Sequence, residues 1–262
     1  MTASIRYAAR PPIAQRDHEI EATTAPIVTE AITVTYLTDP AIVAAVLPPP
    51  LRPSAEPVVR ISLQRVAIEG RPPFGSAVFA VAARHGDVEG DYPLFMPQST
   101  EQSVLGGRET FGEPKKLGEI NVERHGAVVE ASVRRHGYEL VRVEGTITGD
   151  APSPGEVDNV EFYFKFLRAP DGNGITDPHL VYGNYRRTYE SLERIDGRVV
   201  LGDSPLDPVA DIVINEVLSI TWCRRRTVQT ARIVGPVPAE DLLPFVHQRY
   251  DDVALLAAPA RA

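Results

Sequence analysis

The sequence predicts a mainly β protein of α+β type: a single-domain antiparallel β-barrel with a few short helices. Three observations carry this expectation. Short runs rich in β-branched and aromatic side chains recur along the chain, several with alternating polarity. Two of the gaps between runs are His-Gly dipeptides, His125-Gly126 and His136-Gly137, with glycine where a tight turn needs positive φ. No repeat, long linker or composition break divides residues 27–262, so these form one expected domain, with residues 1–26 a loosely attached arm.

Taken in order, Ile27–Leu37 alternates as a strand. Thr38-Asp39-Pro40 then offers a capping side chain and a proline at the first helical position, predicting a helix over Pro40–Leu47 that stops at Pro48-Pro49-Pro50. Val58–Ile68 and Ser76–Arg84 read as strands. Ile120–Arg124, Ala127–Arg135 and Tyr138–Thr148, joined by the two His-Gly turns, read as an antiparallel meander. Phe162, Phe164 and Phe166 fall on one face of a strand over Val160–Leu167, with Lys165 on the other as a structural or surface cation. Val217–Thr230 and Arg232–Val234 are again β-type, and Pro238–Tyr250 reads as a terminal helix interrupted at Pro244.

Composition narrows the function. A formal charge of −8 argues against nucleic acid and anionic membrane surfaces, which attract basic proteins. The apolar stretches Ala41–Leu47 and Ala77–Ala83 are too short to span a bilayer, and the first residues carry no apolar run resembling a signal peptide. A single cysteine, Cys223, forms no internal disulfide, which fits a reducing compartment; a cytoplasmic protein is expected. The six histidines lack zinc-hydrolase spacing, no Gly-x-Ser-x-Gly elbow occurs, and Gly107–Gly112 is followed by Glu113-Pro114 where a phosphate loop requires Lys-Ser or Lys-Thr. Gly172-Asn173-Gly174 lacks the third glycine of a dinucleotide fingerprint. Neither a metal nor a cofactor is expected.

The 27 basic residues include only three lysines, Lys115, Lys116 and Lys165. Arginine stays protonated near neutrality, whereas lysine can surrender its proton and become a nucleophile. An amine kept in an otherwise arginine-using chain therefore points to amine chemistry. If the segment after Pro114 is extended, Lys115 and Lys116 point to opposite faces, and Glu113 shares a face with Lys115, where its carboxylate can move protons.

The stretch Gly107-Arg108-Glu109-Thr110-Phe111-Gly112-Glu113-Pro114-Lys115-Lys116-Leu117-Gly118 resembles the active-site segment of the acetoacetate decarboxylase superfamily. Tyr36-Leu37-Thr38-Asp39, Val46-Leu47-Pro48-Pro49-Pro50-Leu51, Gly90-Asp91-Tyr92 and Gly202-Asp203-Ser204-Pro205 match in the same order, so the likeness spans roughly residues 27–235. The resemblance implies a cone-like β-barrel, assembly into homo-oligomers, a small oxo-acid substrate and a Schiff base on Lys115, the first lysine of the pair. A free lysine titrates near about 10.4, so the amine must be made available by burial or by a neighbouring cation such as Lys116; with the two lysines on opposite faces, burial is expected to be the larger cause.

The same comparison exposes departures. Thr29 stands where the decarboxylases carry arginine, and Ser62 and Ser76 stand where they carry glutamates; Glu113 replaces a neutral residue. Arg108 and Glu109 match the family pattern, either as an internal ion pair or as substrate contacts alongside Ser76, and Tyr250 is a candidate hydroxyl donor. The leading expectation is a decarboxylase-like lyase acting on a small 3-oxo acid through an iminium and enamine. The alternative is a Schiff-base aldolase or dehydratase joining pyruvate or another 2-oxo acid to an aldehyde. A third possibility, from a different class, is a non-catalytic barrel that binds a carbonyl metabolite.

Overall fold

Half-buried strands dominate the computed structural model, which describes residues 7–8 and 27–257. The arm expected over residues 1–26 lies outside the described residues apart from 7–8. The strands are β1 (Ile27–Leu37), β2 (Arg52–Pro53), β3 (Val58–Ile68), β4 (Phe74–His85), β5 (Val88–Gln98), β6 (Lys115–Leu117), β7 (Glu119–His125), β8 (Val128–Arg135), β9 (Tyr138–Asp150), β10 (Glu156–Arg168), β11 (Ile175–Leu201) and β12 (Glu216–Pro236). The helices α1 (Pro40–Val46), α2 (Glu101–Phe111) and α3 (Ala239–Leu242) are short. The mainly β class expected from the sequence is the class observed. Asp39 caps α1 as its type predicts, its Oδ1 accepting from the Ala41 amide at 2.8 Å.

Hydrogen bonding runs in the order β10-β5-β4-β3-β1-β12-β11-β9-β8-β7, and β10 also pairs with β11. The pairings β5-β4-β3-β1-β12-β11-β10 and back to β5 therefore make a closed circuit, joined between β10 and β5 at Glu161 and Asp91. The second half of β11 leaves this circuit and pairs with β9, carrying the β9-β8-β7 meander that the His-Gly turns predict.

Two buried faces result. Ile32, Val34, Tyr36, Phe79, Phe162, Phe164 and Trp222 belong to the main core. Phe162, Phe164 and Phe166 share one face of β10, as their spacing predicts, but the opposite face is buried too: Glu161 and Tyr163 turn away from that core, and Tyr163 packs with Met96, Val181 and Tyr185. Lys165 lies on this second face further along, half-buried, and donates to the Thr110 carbonyl at 3.0 Å.

Three elements differ from the sequence expectation. β5 contains Pro93 and Pro97, which cannot donate to a ladder, yet it pairs with β4 across an irregularity at Phe79/Ala80 that accommodates Pro93. β11 extends over 27 residues, pairing with β12 along most of its length, with β10 over its first half and with β9 over its second. The expected Pro238–Tyr250 helix is broken: one α turn over Ala239–Leu242 is followed by a 3₁₀ segment, Leu243–Gln248, that admits Pro244 near its start.

Candidate active site

Helix α2 carries the chain to the site, and glycine terminates it. Gly112 has φ 83°, and its amide bonds back to the Arg108 carbonyl at 3.2 Å. A side chain there would also meet β10, since a Cβ would lie 2.7 Å from Lys165 Cα. Pro114 then excludes further helix and favours an extended Glu113. The chain continues as β6, parallel to β5, with Lys115 opposite Met96 and Lys116 opposite Pro97.

Because side chains alternate on an extended strand, the two lysines diverge. Lys115 enters a cavity of about 890 Å³. Lys116 enters the protein, where its Nζ lies 2.7 Å from Asp207 Oδ1 and 3.0 Å from Asp251 Oδ1. Arg135 binds the remaining oxygens of both aspartates, at 2.5 Å for Asp207. Burial alone would raise the Asp251 carboxyl, but its hydrogen bond from Arg135 and the charge of Lys116 hold it below the usual range. The ammonium of Lys116 is thus matched by two carboxylates and lies outside the cavity lining.

Glu113 is the group that meets the Lys115 amine. Its Oε2 lies 2.7 Å from Lys115 Nζ as an ion pair, with no aligned hydrogen bond to that oxygen. The other oxygen, Oε1, accepts from Tyr185 Oη at 3.1 Å and Gln229 Nε2 at 3.0 Å. Tyr185 Oη also lies 2.6 Å from Tyr163 Oη, and Tyr163 Oη lies 2.6 Å from Glu161 Oε2, so two phenol protons are shared among three contacts, while Arg187 holds Glu161 Oε1 at 2.7 Å. Burial first, then the nearby Glu113 and Glu161 carboxylates, push both phenols well above their ordinary range, so they stay protonated donors. One carboxylate oxygen is therefore fixed by two donors while the other faces the amine.

Gly107 makes the room for this pair. A Cβ at that position would sit 2.0 Å from Glu113 Oε2 and 2.7 Å from Lys115 Nζ. The backbone around the pair is clamped by two arginines. Arg108 donates to the Lys115 carbonyl at 3.1 Å, and Arg249 reaches the Gly112 carbonyl at 2.5 Å and the Arg108 carbonyl at 3.1 Å.

The expected site residues divide accordingly. Lys115, Glu113, Thr29 and Ser76 line the cavity, Ser76 accepting a 2.9 Å hydrogen bond from Gln98. Arg108, Glu109, Ser62, Lys116 and Tyr250 do not. Instead of pairing with Glu109, Arg108 stacks 5.0 Å from the Tyr250 ring while it holds the backbone. The Tyr250 hydroxyl is occupied by the Phe166 carbonyl at 3.3 Å. Ser62 lies beside the wall, accepting from Gln64 at 3.0 Å. Sequence reasoning missed Gln229, Tyr185, Glu161, Arg187 and Arg225, all of which line the cavity. Tyr185 and Gln229 reach Glu113 from 72 and 116 residues away, so no local spacing pointed to them. Among the described residues, no cluster of three or more His, Cys, Asp or Glu is arranged for a metal ion, and no helix is long and apolar enough to cross a membrane.

Comparison with known proteins bears on the family and the fold. The family model described as acetoacetate decarboxylase matches residues 10–236. A CLA biosynthesis isomerase from Lactiplantibacillus plantarum is 28% identical over 218 residues, covering 74% of this chain and 76% of the relative. A solved acetoacetate decarboxylase superposes with TM-score 0.73 at 19% identity, covering 80% of this chain and 90% of the other. The enduracididine biosynthesis enzyme MppR, solved with the condensation product of pyruvate and imidazole 4-carboxaldehyde, superposes with TM-score 0.68 at 16% identity, over 80% and 89% of the two chains.

Proposed function

The chain belongs to the acetoacetate decarboxylase family, and from that premise we propose that it is a Schiff-base lyase in which Lys115 condenses with an oxo acid and Glu113 moves protons at the resulting iminium. One observation carries the reading: an amine and a carboxylate 2.7 Å apart, facing a cavity on a wall that also fixes the other carboxylate oxygen.

Transfer of a proton from the Lys115 ammonium to Glu113 leaves a neutral amine without recruiting solvent. The amine nitrogen adds to the substrate carbonyl carbon, and the carbonyl oxygen departs as water with protons from the amine and from Glu113, leaving a cationic iminium. A bond on the adjacent carbon then breaks, and its electron pair flows toward nitrogen to give an enamine. Where that bond holds a carboxylate, CO₂ leaves; Glu113, which gave its proton to the departing water, takes one from solvent and passes it to the carbon. Where it holds hydrogen, Glu113 takes the proton, and the enamine carbon can attack an aldehyde or be reprotonated. Hydrolysis of the final iminium frees Lys115.

Decarboxylation of a 3-oxo acid is supported by the family and its fold. The second branch is favoured by a carboxylate beside the amine and by uncharged Thr29 and Ser76 in the wall. The relatives point the same way: isomerisation loses no atom, and MppR was solved with a condensation product. What separates the branches is where the substrate carboxylate is held.

The test is borohydride reduction with a panel of 2-oxo and 3-oxo acids, read by intact mass and peptide mapping, alongside CO₂ release and pyruvate–aldehyde condensation. The adduct is expected on Lys115; Glu113→Gln should lower turnover by roughly 10²–10⁴-fold and slow adduct formation, the adduct that does form still mapping to Lys115. An adduct on Lys116 or Lys165, or none with any oxo acid, overturns the proposal.

A further inference from the structure

Arg225 is a buried cation that nothing in the site yet uses. It is 6% exposed and lines the same cavity as Lys115. Among the described residues it has no carboxylate partner, and its buried Nε has no hydrogen-bond partner. The remaining contacts of its guanidinium are weak: Tyr189, with its Oη at 3.5 Å and its ring centroid at 5.8 Å, and Cys223 Sγ at 3.7 Å. A buried guanidinium without an anion is costly, because the Coulomb attraction that offsets desolvation is missing. Its neighbour Arg187 differs in this respect, since Glu161 already matches it.

Its position in the sheet is specific. Arg225 is the direct cross-strand partner of Thr29. The two face the same cavity wall from the adjoining strands β12 and β1, so this stretch of wall carries one cation and no carboxylate of its own. Along β12, Arg225, Thr227 and Gln229 alternate onto that wall, and Gln229 contacts Glu113. At about 3.3 Å per residue, the Arg225 and Gln229 backbones are roughly 13 Å apart. The guanidinium's own contacts, Tyr189 across the ladder and Cys223 two residues earlier, lie at the end away from Gln229. In a 3-oxo acid the carbonyl and carboxyl carbons are separated by only two bonds of about 1.5 Å each. With the guanidinium resting beside Tyr189 and Cys223, such an acid is too short to place its carbonyl on Lys115 and its carboxylate on Arg225. The lining of the same cavity supplies apolar surface from Val66, Phe74, Val78 and Met96.

We propose that Arg225 is the carboxylate-recognition residue for an elongated oxo acid, whose carbonyl is presented to Lys115 and whose apolar chain crosses the cavity between them. This rests on the Schiff-base reading above and refines it. A carboxylate anchored far from the iminium does not leave as CO₂, so the bond broken beside the iminium is C–H, with its proton taken by Glu113 and its electron pair forming the enamine.

The experiment uses the full chain and three series of matched length, from C3 to C18: oxo acids, their methyl esters, and saturated carboxylic acids lacking the carbonyl. Borohydride trapping at Lys115 gives half-saturating concentrations for the first two series, and calorimetric binding gives Kd for the third. Trapping of the long oxo acids is expected at concentrations at least about tenfold lower than their esters. Arg225→Gln should raise the value for the acids by about 10- to 100-fold while leaving the esters unchanged, the loss of one charged hydrogen-bonded contact. Arg225→Lys should restore part of it, as a retained charge with a different donor geometry.

Equal trapping of acids and esters by wild type, or an equal shift of both in Arg225→Gln, overturns the proposal. An Arg225 dependence as large for C3 and C4 acids as for long ones overturns the remote placement. If nothing is trapped, the Schiff-base reading fails by itself. Calorimetry still decides Arg225: tight binding of long saturated acids lost in Arg225→Gln upholds carboxylate recognition, and unchanged or absent binding rejects it.

Discussion

Replacing Gly107 with alanine should separate the fold from the Lys115–Glu113 geometry. The added Cβ would fall 2.0 Å from Glu113 Oε2, 2.5 Å from Lys115 Cδ and 2.7 Å from Lys115 Nζ, all under the 3.0 Å that real Cβ contacts respect. Something must move by about 1 Å. The clashing atoms are the tip of a carboxylate and the end of a lysine, not backbone, so the fold can absorb the change. Overpacking costs about 1–3 kcal/mol, while alanine in a helix interior is favoured over glycine by about 1 kcal/mol. Net stability should therefore stay within about 2 kcal/mol of wild type.

The chemistry has less tolerance. Glu113 Oε1 is tied to Tyr185 and Gln229, so the Lys115 amine is the freer partner and should swing out of position. A misplacement of about 1 Å is worth roughly 10²-fold in rate. Gly106 is the control within the same helix, because a Cβ there meets nothing within 4 Å. Gly106→Ala should stabilise by up to about 1 kcal/mol and trap substrate normally. Denaturant midpoints and single-turnover borohydride trapping read both effects. Wild-type trapping in Gly107→Ala would refute the claim that this pair, in this arrangement, prepares the nucleophile.

Two further outcomes follow from the buried charges. Lys116→Met leaves Asp207 and Asp251 with Arg135 as their remaining cation, and should destabilise by about 3–5 kcal/mol while trapping at Lys115 persists in the folded fraction; lost trapping at unchanged stability would instead assign Lys116 to catalysis. Asp91 is raised to about 6, because burial outweighs its contact with Arg60. The folded state therefore holds this proton more tightly than the unfolded chain, and the associated stability is full below about pH 4 and lost as pH rises through about 6, up to about 3 kcal/mol. Asp91→Asn should gain stability over wild type across that window in urea titrations; a pH-independent difference would contradict this.

Legibility in the sequence tracked how much each element depends on distant partners. β1, β3 and β8 alternate because one face meets the core, and that pattern is local. β5 was hidden by two prolines whose tolerance depends on an irregularity in β4 pairing. α2 was hidden because Gly106 and Gly107 weaken any helical pattern, and Gly107 is needed there for the space that the Lys115–Glu113 pair occupies. The local rule was broken at the candidate site itself, where functional demands most often override propensity.

Within the site, the adjacent residues Glu113, Pro114 and Lys115 were readable because alternation on an extended segment is a matter of geometry. The scarcity of lysine was readable too, but it carried two meanings. Lys115 keeps an amine facing a cavity, where a guanidinium could not act as a nucleophile. Lys116 keeps one for shape: the planar fork of Arg135 already reaches one oxygen of each aspartate, leaving between Asp207 Oδ1 and Asp251 Oδ1 a gap that suits a compact ammonium. The arginines reverse the expectation drawn from their abundance. Arg108 and Arg249 act mainly on backbone carbonyls, whereas Arg225, inconspicuous within Arg224-Arg225-Arg226, is the one turned into the cavity. Arg224 and Arg226 point to the outer face and share Glu190, so strand alternation sorts three identical residues into two surface ion pairs and one buried cation.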